Sequence, residues 1–152
     1  MKTIVILGVG VGGIVTANEL STRLNGEHKI ILIEKNKEHT FAPSYLWLMT
    51  GDRKKGQIKV PLKSLLKKNI EVVNATVNKI LSAEQKVKAG EKEFHYDFLV
   101  IALGADLAPE KITGWDDSIH TFYTYEGAEK LHEALKKHSR HERNPVSFEN
   151  AA

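Results

Sequence analysis

The residues of this chain most suited to chemistry are three glycines and one acid. Gly8, Gly10 and Gly13 form a Gly-x-Gly-x-x-Gly motif, and Glu34 follows the last glycine after about 20 residues. In such a motif the first glycine allows a tight turn, the second lets a pyrophosphate approach the backbone, and the third lets a helix pack closely on a strand. A helix that starts there also directs free N–H groups at phosphate oxygens. The motif and its acid therefore indicate the binding of an adenine dinucleotide.

The segments around the motif have the patterns of a strand, a helix and a second strand. Lys2–Leu7 is a short β-branched apolar run, typical of a strand that is buried on both faces. Apolar residues at helical spacing run from Ile14 to Leu24, and a second buried run spans Lys29–Ile33. This order predicts a right-handed βαβ unit with the motif at the strand-to-helix turn and Glu34 at the tip of the second strand.

Glu34 also bears on which dinucleotide is bound. A carboxylate at this point accepts hydrogen bonds from both ribose hydroxyls and repels a 2′-phosphate, which disfavours NADP. The alternative is a glycine-rich turn beside a surface glutamate, but the order of strand, helix and acid favours a binding site. The motif by itself leaves FAD and NAD open.

The middle of the chain is less regular. Pro61–Lys68 predicts a short helix, with proline first and cations last. Ile70–Leu81 has the pattern of one strand, and Lys86–Ala89 and Lys92–Tyr96 follow it as short alternating segments separated by a glycine turn. The prediction is a small antiparallel meander inserted before the last strand of a parallel sheet.

The last third of the chain supplies one more strand and one more helix. Asp97–Gly104 is another doubly buried run that ends in glycine, and we expect Gly104 beside the Gly8 loop at the carboxyl edge of the sheet. Thr124 is a plausible N-cap of a helix that ends near Lys137. From 138 to 152 the periodicity stops, and we expect a disordered tail. The order of strands and helices before it predicts an α/β fold, with a Rossmann-like domain over 1–137.

Composition excludes several classes of protein. The chain has 152 residues, 41% of them hydrophobic, a formal charge of +3 and no cysteine, which fits one globular cytoplasmic domain without disulfides. The basic stretch from Arg53 to Ile70 could face anionic lipid, but a solvated surface is the favoured interpretation, and no aromatic pattern accompanies it that would favour nucleic acid. His138 and His141 lack a clear third ligand, so no metal site is predicted.

Three further segments carry a resemblance to a known family. With the glycine motif in front of them, Phe41–Tyr45, Ala75–Val77 and Asp97–Ala105 resemble the FAD domain of the two-dinucleotide-binding-domain flavoproteins, the pyridine nucleotide–disulfide oxidoreductase superfamily. Phe41–Ser44, followed by Trp47 and Gly51, looks most like sulfide:quinone oxidoreductases and flavocytochrome c sulfide dehydrogenases, and then like type II NADH dehydrogenases. The resemblance implies FAD as the cofactor, with NAD as the alternative.

The resemblance also implies roles for individual residues. Leu103 stands where the family usually has threonine, which removes one hydroxyl contact to the flavin. The alternative for Pro43, Tyr45 and Trp47 is a hydrophobic core under a loop. The implied contacts are Gly8, Gly10, Val11, Gly12 and Gly13 with the pyrophosphate, Glu34 with the adenosine ribose, Lys35 and Val77 with the adenosine end, Ala102 and Gly104 with the ribityl chain and pyrophosphate, and Pro43 and Ser44 with the isoalloxazine.

Two departures from the family limit what this chain is expected to do. Sulfide:quinone oxidoreductases work through cysteines beside the flavin, because a thiolate is the nucleophile that such chemistry needs. This chain has no cysteine. The family is also more than twice as long, so 1–137 is expected to be an incomplete FAD-binding domain. We predict an N-terminal FAD-binding fragment of a sulfide:quinone or NADH:quinone oxidoreductase. The alternatives are a non-catalytic module that binds FAD or NAD, and a self-associating fragment with an empty site.

Truncation relative to the family would also remove a neighbour of the sheet. We therefore expect an exposed sheet edge or apolar patch that favours a homodimer. Contact with a membrane surface is expected only of the full-length family member.

Overall fold

The computed structural model of the protein describes residues 1–116 and 118–141, without the side chains of residues 139–141. None of the helices among these residues is long and apolar enough to cross a bilayer. In chain order the elements are β1 (Thr3–Leu7), α1 (Val11–Arg23), β2 (Lys29–Glu34), β3 (Glu38–Thr40), α2 (Tyr45–Thr50), β4 (Lys59–Pro61), β5 (Ile70–Asn74), β6 (Val77–Leu81), β7 (Lys86–Ala89), β8 (Lys92–His95), β9 (Phe98–Ile101) and α3 (Tyr125–His141), with short 3₁₀ turns between some of them.

The central element is a four-stranded parallel sheet in the order β5-β2-β1-β9. In its register Val5 of β1 pairs with Ile31 of β2 and with Leu99 of β9. The predicted α/β fold with a parallel sheet is confirmed. β9 lies at one edge of this sheet, where Phe98 and Ile101 are exposed. Self-association through this edge stays a prediction.

Both faces of the sheet are covered, because alternate residues of β1 and β2 point into two different hydrophobic clusters. On one face Ile4 and Ile6 pack in a cluster with Ala17 of α1. On the other, Val5 and Leu7 pack in a cluster with Val87 of the meander. This double burial fixes the carboxyl ends of the central strands, where the glycine motif begins.

The predicted strand over Ile70–Leu81 is wrong as a single element, because the structure divides it at Ala75. Its first half, β5, pairs parallel with β2 in the central sheet, and its second half, β6, pairs antiparallel with β7. The division occurs where the Ala75 N–H donates to the Glu34 carbonyl at 3.0 Å, directly after the last pair of β5 with β2. The β6-β7-β8 sheet is the predicted meander.

The predicted helix over Pro61–Lys68 is also wrong. The segment is the end of β4 followed by a 3₁₀ turn over Leu62–Leu65. Beyond the turn, the Asn18 side chain of α1 bonds to backbone groups that a longer helix would pair internally. Its Nδ2 donates to the Leu65 carbonyl at 2.7 Å, and its Oδ1 accepts a hydrogen bond from the Lys67 N–H at 3.0 Å.

The chain divides into two compact units, and the expected single FAD-binding domain over 1–137 stays a prediction. The first unit comprises Met1–His39 and Lys59–Asp106, and the second comprises Thr40–Ile58 and the described residues from Leu107 onward. The second unit has a cluster of its own, in which the rings of Tyr45 and Tyr125 meet edge to face at 6.4 Å between centroids.

Helix α3 of the second unit starts as expected and ends later than expected. The Thr124 hydroxyl accepts a hydrogen bond from the Gly127 N–H at 3.0 Å, which is the predicted N-cap. The helix continues to His141, so its end does not coincide with the expected boundary at Lys137. The rest of the expected tail, 142–152, lies outside the described residues.

Candidate functional site

The glycine motif and the end of β9 border one cavity in the first unit, as the strand order requires. Its volume is about 300 Å³, and it lies at the carboxyl ends of β1, β2 and β9, where parallel sheets bind ligands. The lining residues are Gly8, Val9, Gly10, Ile33, Glu34, Lys35, Ala75, Thr76, Val77, Ala102, Leu103 and Gly104.

Two glycines of the motif are required by close backbone packing. Gly8 has a φ of +94°, and a Cβ there would lie 2.4 Å from the Ala102 carbonyl oxygen. A Cβ on Gly13 would lie 2.0 Å from the Gly8 carbonyl oxygen. Glycine at these positions lets β1, β9 and the first turn of α1 approach one another, and this approach shapes the corner of the cavity.

The other two glycines of the loop border open space. A Cβ on Gly10 or Gly12 would meet nothing within 4 Å. Gly10 precedes α1, and its carbonyl accepts the first helical hydrogen bond from Ile14 at 3.1 Å. The N–H groups of the first helical turn have no acceptor within the helix, so an anion beside Gly10 would find both space and donors. The loop therefore fits a pyrophosphate.

Glu34 is held at the cavity by two backbone donors. Its Oε2 accepts a hydrogen bond from the Val9 N–H at 3.2 Å, and its Oε1 accepts one from the Asn36 N–H at 2.9 Å. The side chain is half-buried and lines the cavity. A carboxylate has further lone pairs on each oxygen, so Glu34 can still accept hydrogen bonds from ribose hydroxyls while it keeps both backbone contacts.

Asn74, which the sequence did not single out, fixes the backbone that carries Glu34. Its Nδ2 donates to the Glu34 carbonyl at 3.0 Å and to the Lys35 carbonyl at 2.8 Å. The feature that could have identified Asn74 is its position as the last residue of a strand parallel to β2. This position is recognisable only once Ile70–Leu81 is known to divide into two strands.

A second residue that sequence reasoning missed is His39. Its Nδ1 lies 2.9 Å from the Val9 carbonyl oxygen, in the middle of the glycine loop. No motif contains it, and the short strand β3 that carries it was not predicted.

The structure brings together seven of the predicted contact residues on the lining of the cavity. Val11, Gly12 and Gly13 lie beside them in the first turn of α1. The lining also includes Leu103, whose side chain is 56% exposed and apolar. The seven are Gly8, Gly10, Glu34, Lys35, Val77, Ala102 and Gly104.

Pro43 and Ser44 lie in the second unit, so their assignment to the isoalloxazine stays a prediction. Both belong to a 3₁₀ turn before α2. The Ser44 side chain is buried, and its hydroxyl accepts a hydrogen bond from Arg53 Nη1 at 2.9 Å. The Arg53 guanidinium also lies 4.4 Å from the centre of the Trp47 ring. This arrangement gives Ser44 a structural contact of its own.

Comparison with protein families identifies relatives of the chain. The model of the pyridine nucleotide-disulphide oxidoreductase family matches residues 2–145. The type II NADH:quinone oxidoreductase of Staphylococcus haemolyticus is 32% identical over 132 residues, which cover 86% of this chain and 33% of that protein. The sulfide-quinone reductase of Aquifex aeolicus is 41% identical over 108 residues, which cover 70% of this chain and 25% of that protein.

A solved structure agrees with these relatives. The sulfide:quinone oxidoreductase from Aquifex aeolicus superposes with a TM-score of 0.80 at 30% identity, covering 93% of this chain and 33% of that chain. The chain thus spans between a quarter and a third of the length of the relatives it matches. The matches confirm the resemblance inferred from the sequence, and they confirm FAD as the cofactor.

Proposed function

We propose, because the chain belongs to the pyridine nucleotide-disulphide oxidoreductase family, that it is the FAD-binding part of a flavin-dependent quinone oxidoreductase. The observation that carries this proposal is the cavity of the first unit. It places the Gly8–Gly10 loop, the Glu34 carboxylate and Gly104 around one space, although they come from three separate strand ends.

Each part of the cavity has a task in holding FAD. The open loop at Gly10 and the first turn of α1 supply N–H donors for the pyrophosphate. Glu34, held by its two backbone contacts, would accept hydrogen bonds from the adenosine ribose. Val77 lies on the lining, where it would border the adenine. When bound, FAD supplies the transfer of hydride and electrons, and the protein supplies position and electrostatics.

The electron donor of the whole protein is either sulfide or NADH. The names of the relatives divide between the two, since one is a sulfide-quinone reductase and the other a type II NADH:quinone oxidoreductase. These 152 residues contain no cysteine. Sulfide chemistry would therefore need thiols from outside this sequence, because sulfur transfer needs a thiolate.

A second candidate is a dinucleotide-binding module that binds without turnover. It is favoured by the lining of the cavity, whose glycine loop and Glu34 suffice for binding a dinucleotide and which includes no thiol. Its ligand would be FAD or the ADP part of NAD, held by the same loop and the same acid.

The visible spectrum of the purified chain, with and without added FAD, tests both candidates. A flavin absorption band that stays with the protein through gel filtration supports both, and a colourless protein that takes up no FAD contradicts both. Anaerobic addition of NADH, and then of sulfide, separates them. Bleaching of the bound flavin supports the oxidoreductase, whereas a flavin that keeps its colour with both donors leaves the binding module.

Substitution of Glu34 tests the ribose contact. Glu34→Ala should weaken FAD binding by about 1–3 kcal/mol, because charge-assisted hydrogen bonds are lost. It should also narrow the preference for ADP over adenosine 2′,5′-bisphosphate, because the repulsion of a 2′-phosphate is lost. Fluorescence titration measures the dissociation constants.

Glu27→Ala is the matched control for this substitution. Glu27 is an exposed acid between α1 and β2, outside the cavity lining. Its variant should bind FAD as the unaltered chain does. Equal FAD affinity of the two variants would contradict the role of Glu34.

A further inference from the structure

We infer that His39 is a positioning residue of the dinucleotide site, which holds the glycine loop in its binding conformation through the carbonyl group of Val9. The ligand in this inference rests on the proposed function. The role of His39 in holding the loop does not rest on the proposed function, because it concerns contacts within the free chain.

The peptide groups around Val9 are fixed on both edges. The Val9 N–H donates to Glu34 Oε2 at 3.2 Å, and the Val9 carbonyl oxygen lies 2.9 Å from His39 Nδ1. One residue earlier, the Gly8 N–H donates to the Ile33 carbonyl at 3.0 Å. The Val9 side chain is only 6% exposed and belongs to the cluster beneath α1. The loop is therefore anchored before it reaches Gly10.

The chemistry of the contact determines which proton His39 carries. A carbonyl oxygen only accepts hydrogen bonds, so His39 Nδ1 must be the donor. The neutral ring is then the Nδ1–H tautomer, and the protonated ring donates from the same atom. The contact consequently requires a donor at the Nδ1 position, and any side chain that places an N–H there should serve.

His39 is itself held by its neighbours in the first unit. It lies in β3, which pairs with β4. Glu38 forms an ion pair with Lys59 at 3.8 Å, and the Lys37 carbonyl accepts the hydrogen bond from the Leu62 N–H. Leu62 is buried in the same cluster as Val9. The imidazole therefore reaches the loop from a segment that is tied to the same core.

The position of Val9 makes this hold important for a ligand. Val9 is followed directly by Gly10, which begins the open space of the loop and the first turn of α1. A pyrophosphate needs the N–H groups of this region in one fixed arrangement. Without the His39 contact, part of the binding free energy would be spent on ordering the loop.

Three variants separate a positional role from a merely structural one. His39→Leu removes the donor at similar volume. His39→Asn keeps an N–H close to the Nδ1 position, and His39→Gln moves the N–H to the Nε2 position. His95→Leu is the matched control, because His95 is exposed on β8 and outside the cavity lining. The readouts are the dissociation constants of FAD and ADP and, in the free chain, the hydrogen exchange rate of the Val9 amide.

The expected result is a split among the variants. His39→Leu and His39→Gln should weaken FAD and ADP by about tenfold, the effect of one lost hydrogen bond, and speed up exchange of the Val9 amide. His39→Asn and His95→Leu should stay near the unaltered chain in both readouts. The inference is overturned if His39→Leu keeps its affinity and exchange rate, or if His39→Asn behaves as His39→Leu does.

The two proposals fail in different ways. If the unaltered chain binds neither FAD nor ADP, the proposed function fails, and Val9 exchange still decides the role of His39. If the chain binds FAD and the four variants bind it equally, with the same Val9 exchange, only the role of His39 fails.

Discussion

The two units of this protein build their defining features from different kinds of atoms. In the first unit, the corner around Gly8 and Gly13 depends on backbone approaches so close that a Cβ would lie 2.4 Å or less from a carbonyl oxygen. In the second unit the organising contacts are between side chains, such as Tyr45 with Tyr125 and Arg53 with Trp47.

This difference decides which features a sequence reveals. A site formed by close backbone contacts requires only that certain residues have no side chain. Glycines at fixed spacing in the sequence therefore reveal it directly. A side-chain cluster forms between residues that are far apart in the chain, and many combinations of apolar residues could fill the same space. The comparison leads to three tests, in order of expected effect.

Removal of an aromatic ring from the second unit should have the largest effect. Tyr125→Ala should lower the free energy of unfolding by about 3–5 kcal/mol, because Tyr125 is 8% exposed and packs against Tyr45. Denaturant titration measures the loss. ADP affinity, measured under conditions where the variant is folded, should be unchanged, since the residues that line the cavity belong to the first unit.

Phe122→Ala provides the comparison for that loss. Phe122 is an aromatic residue of the same unit that is 45% exposed. Its removal should change stability by less than about 0.5 kcal/mol. Equal losses for the two variants would show that the ring pair of Tyr45 and Tyr125 is not what organises this unit.

Addition of a single methyl group in the first unit should come next. Gly13→Ala should cost about 1–3 kcal/mol of stability, because the new Cβ would overlap the Gly8 carbonyl oxygen. FAD binding should fall with it, since Gly8 belongs to the cavity. Gly12→Ala makes the same chemical change one residue earlier, into open space, and should leave stability nearly unaltered. If the two variants have the same melting temperature, the backbone around Gly8 and Gly13 is more adaptable than the distances imply.

The smallest effect concerns the opposite end of the β1–β9 pair, where a charge takes part. Asp97 accepts hydrogen bonds from Lys2 Nζ at 2.7 Å and from the Thr3 N–H at 2.8 Å. These two hydrogen bonds, the one from Lys2 above all, hold the pKa of the Asp97 carboxyl below its usual value. The stabilisation is therefore present above the unfolded pKa of about 4 and is lost as the pH falls through the lower folded value.

Asp97→Asn should remove this dependence. The stability of the unaltered chain and that of the variant should converge as the pH is lowered from 6 towards 2, which thermal melts across this range would reveal. Curves that run parallel over the whole range would mean that the carboxylate gains nothing from Lys2 and Thr3.

The features that the sequence predicted correctly are local. Lys2–Leu7 and Lys29–Ile33 were recognisable as strands because a strand covered on both faces is apolar throughout. Thr124 was recognisable as an N-cap because its hydroxyl acts within the first turn of its own helix. The glycines and Glu34 follow one another in a fixed order, so their place at the strand ends could be predicted as well.

The errors arose where a distant partner decided the local structure. Ile70–Leu81 has the composition of one strand, but its two halves lie in different sheets. The first half ends with a hydrogen bond to Glu34 of β2, and the second half pairs with Val87 of β7. Pro61–Lys68 has the terminal residues of a helix, but hydrogen bonds between the Asn18 side chain and the backbone of this segment limit it to a 3₁₀ turn. Hydrogen bonds to distant segments outweigh intrinsic propensities of well under 1 kcal/mol per residue.

The sequence by itself determined the parallel α/β fold, the dinucleotide loop and its acid, because each depends on residue types at short, fixed spacing. Only the tertiary structure decided how that loop is held. The Asn74 side chain donates a hydrogen bond to the Glu34 carbonyl, and His39, in β3, contacts the Val9 carbonyl. Neither residue has a local pattern, since each acts through hydrogen bonds to a segment about 30 or more residues away, and such contacts exist only after the sheet has formed.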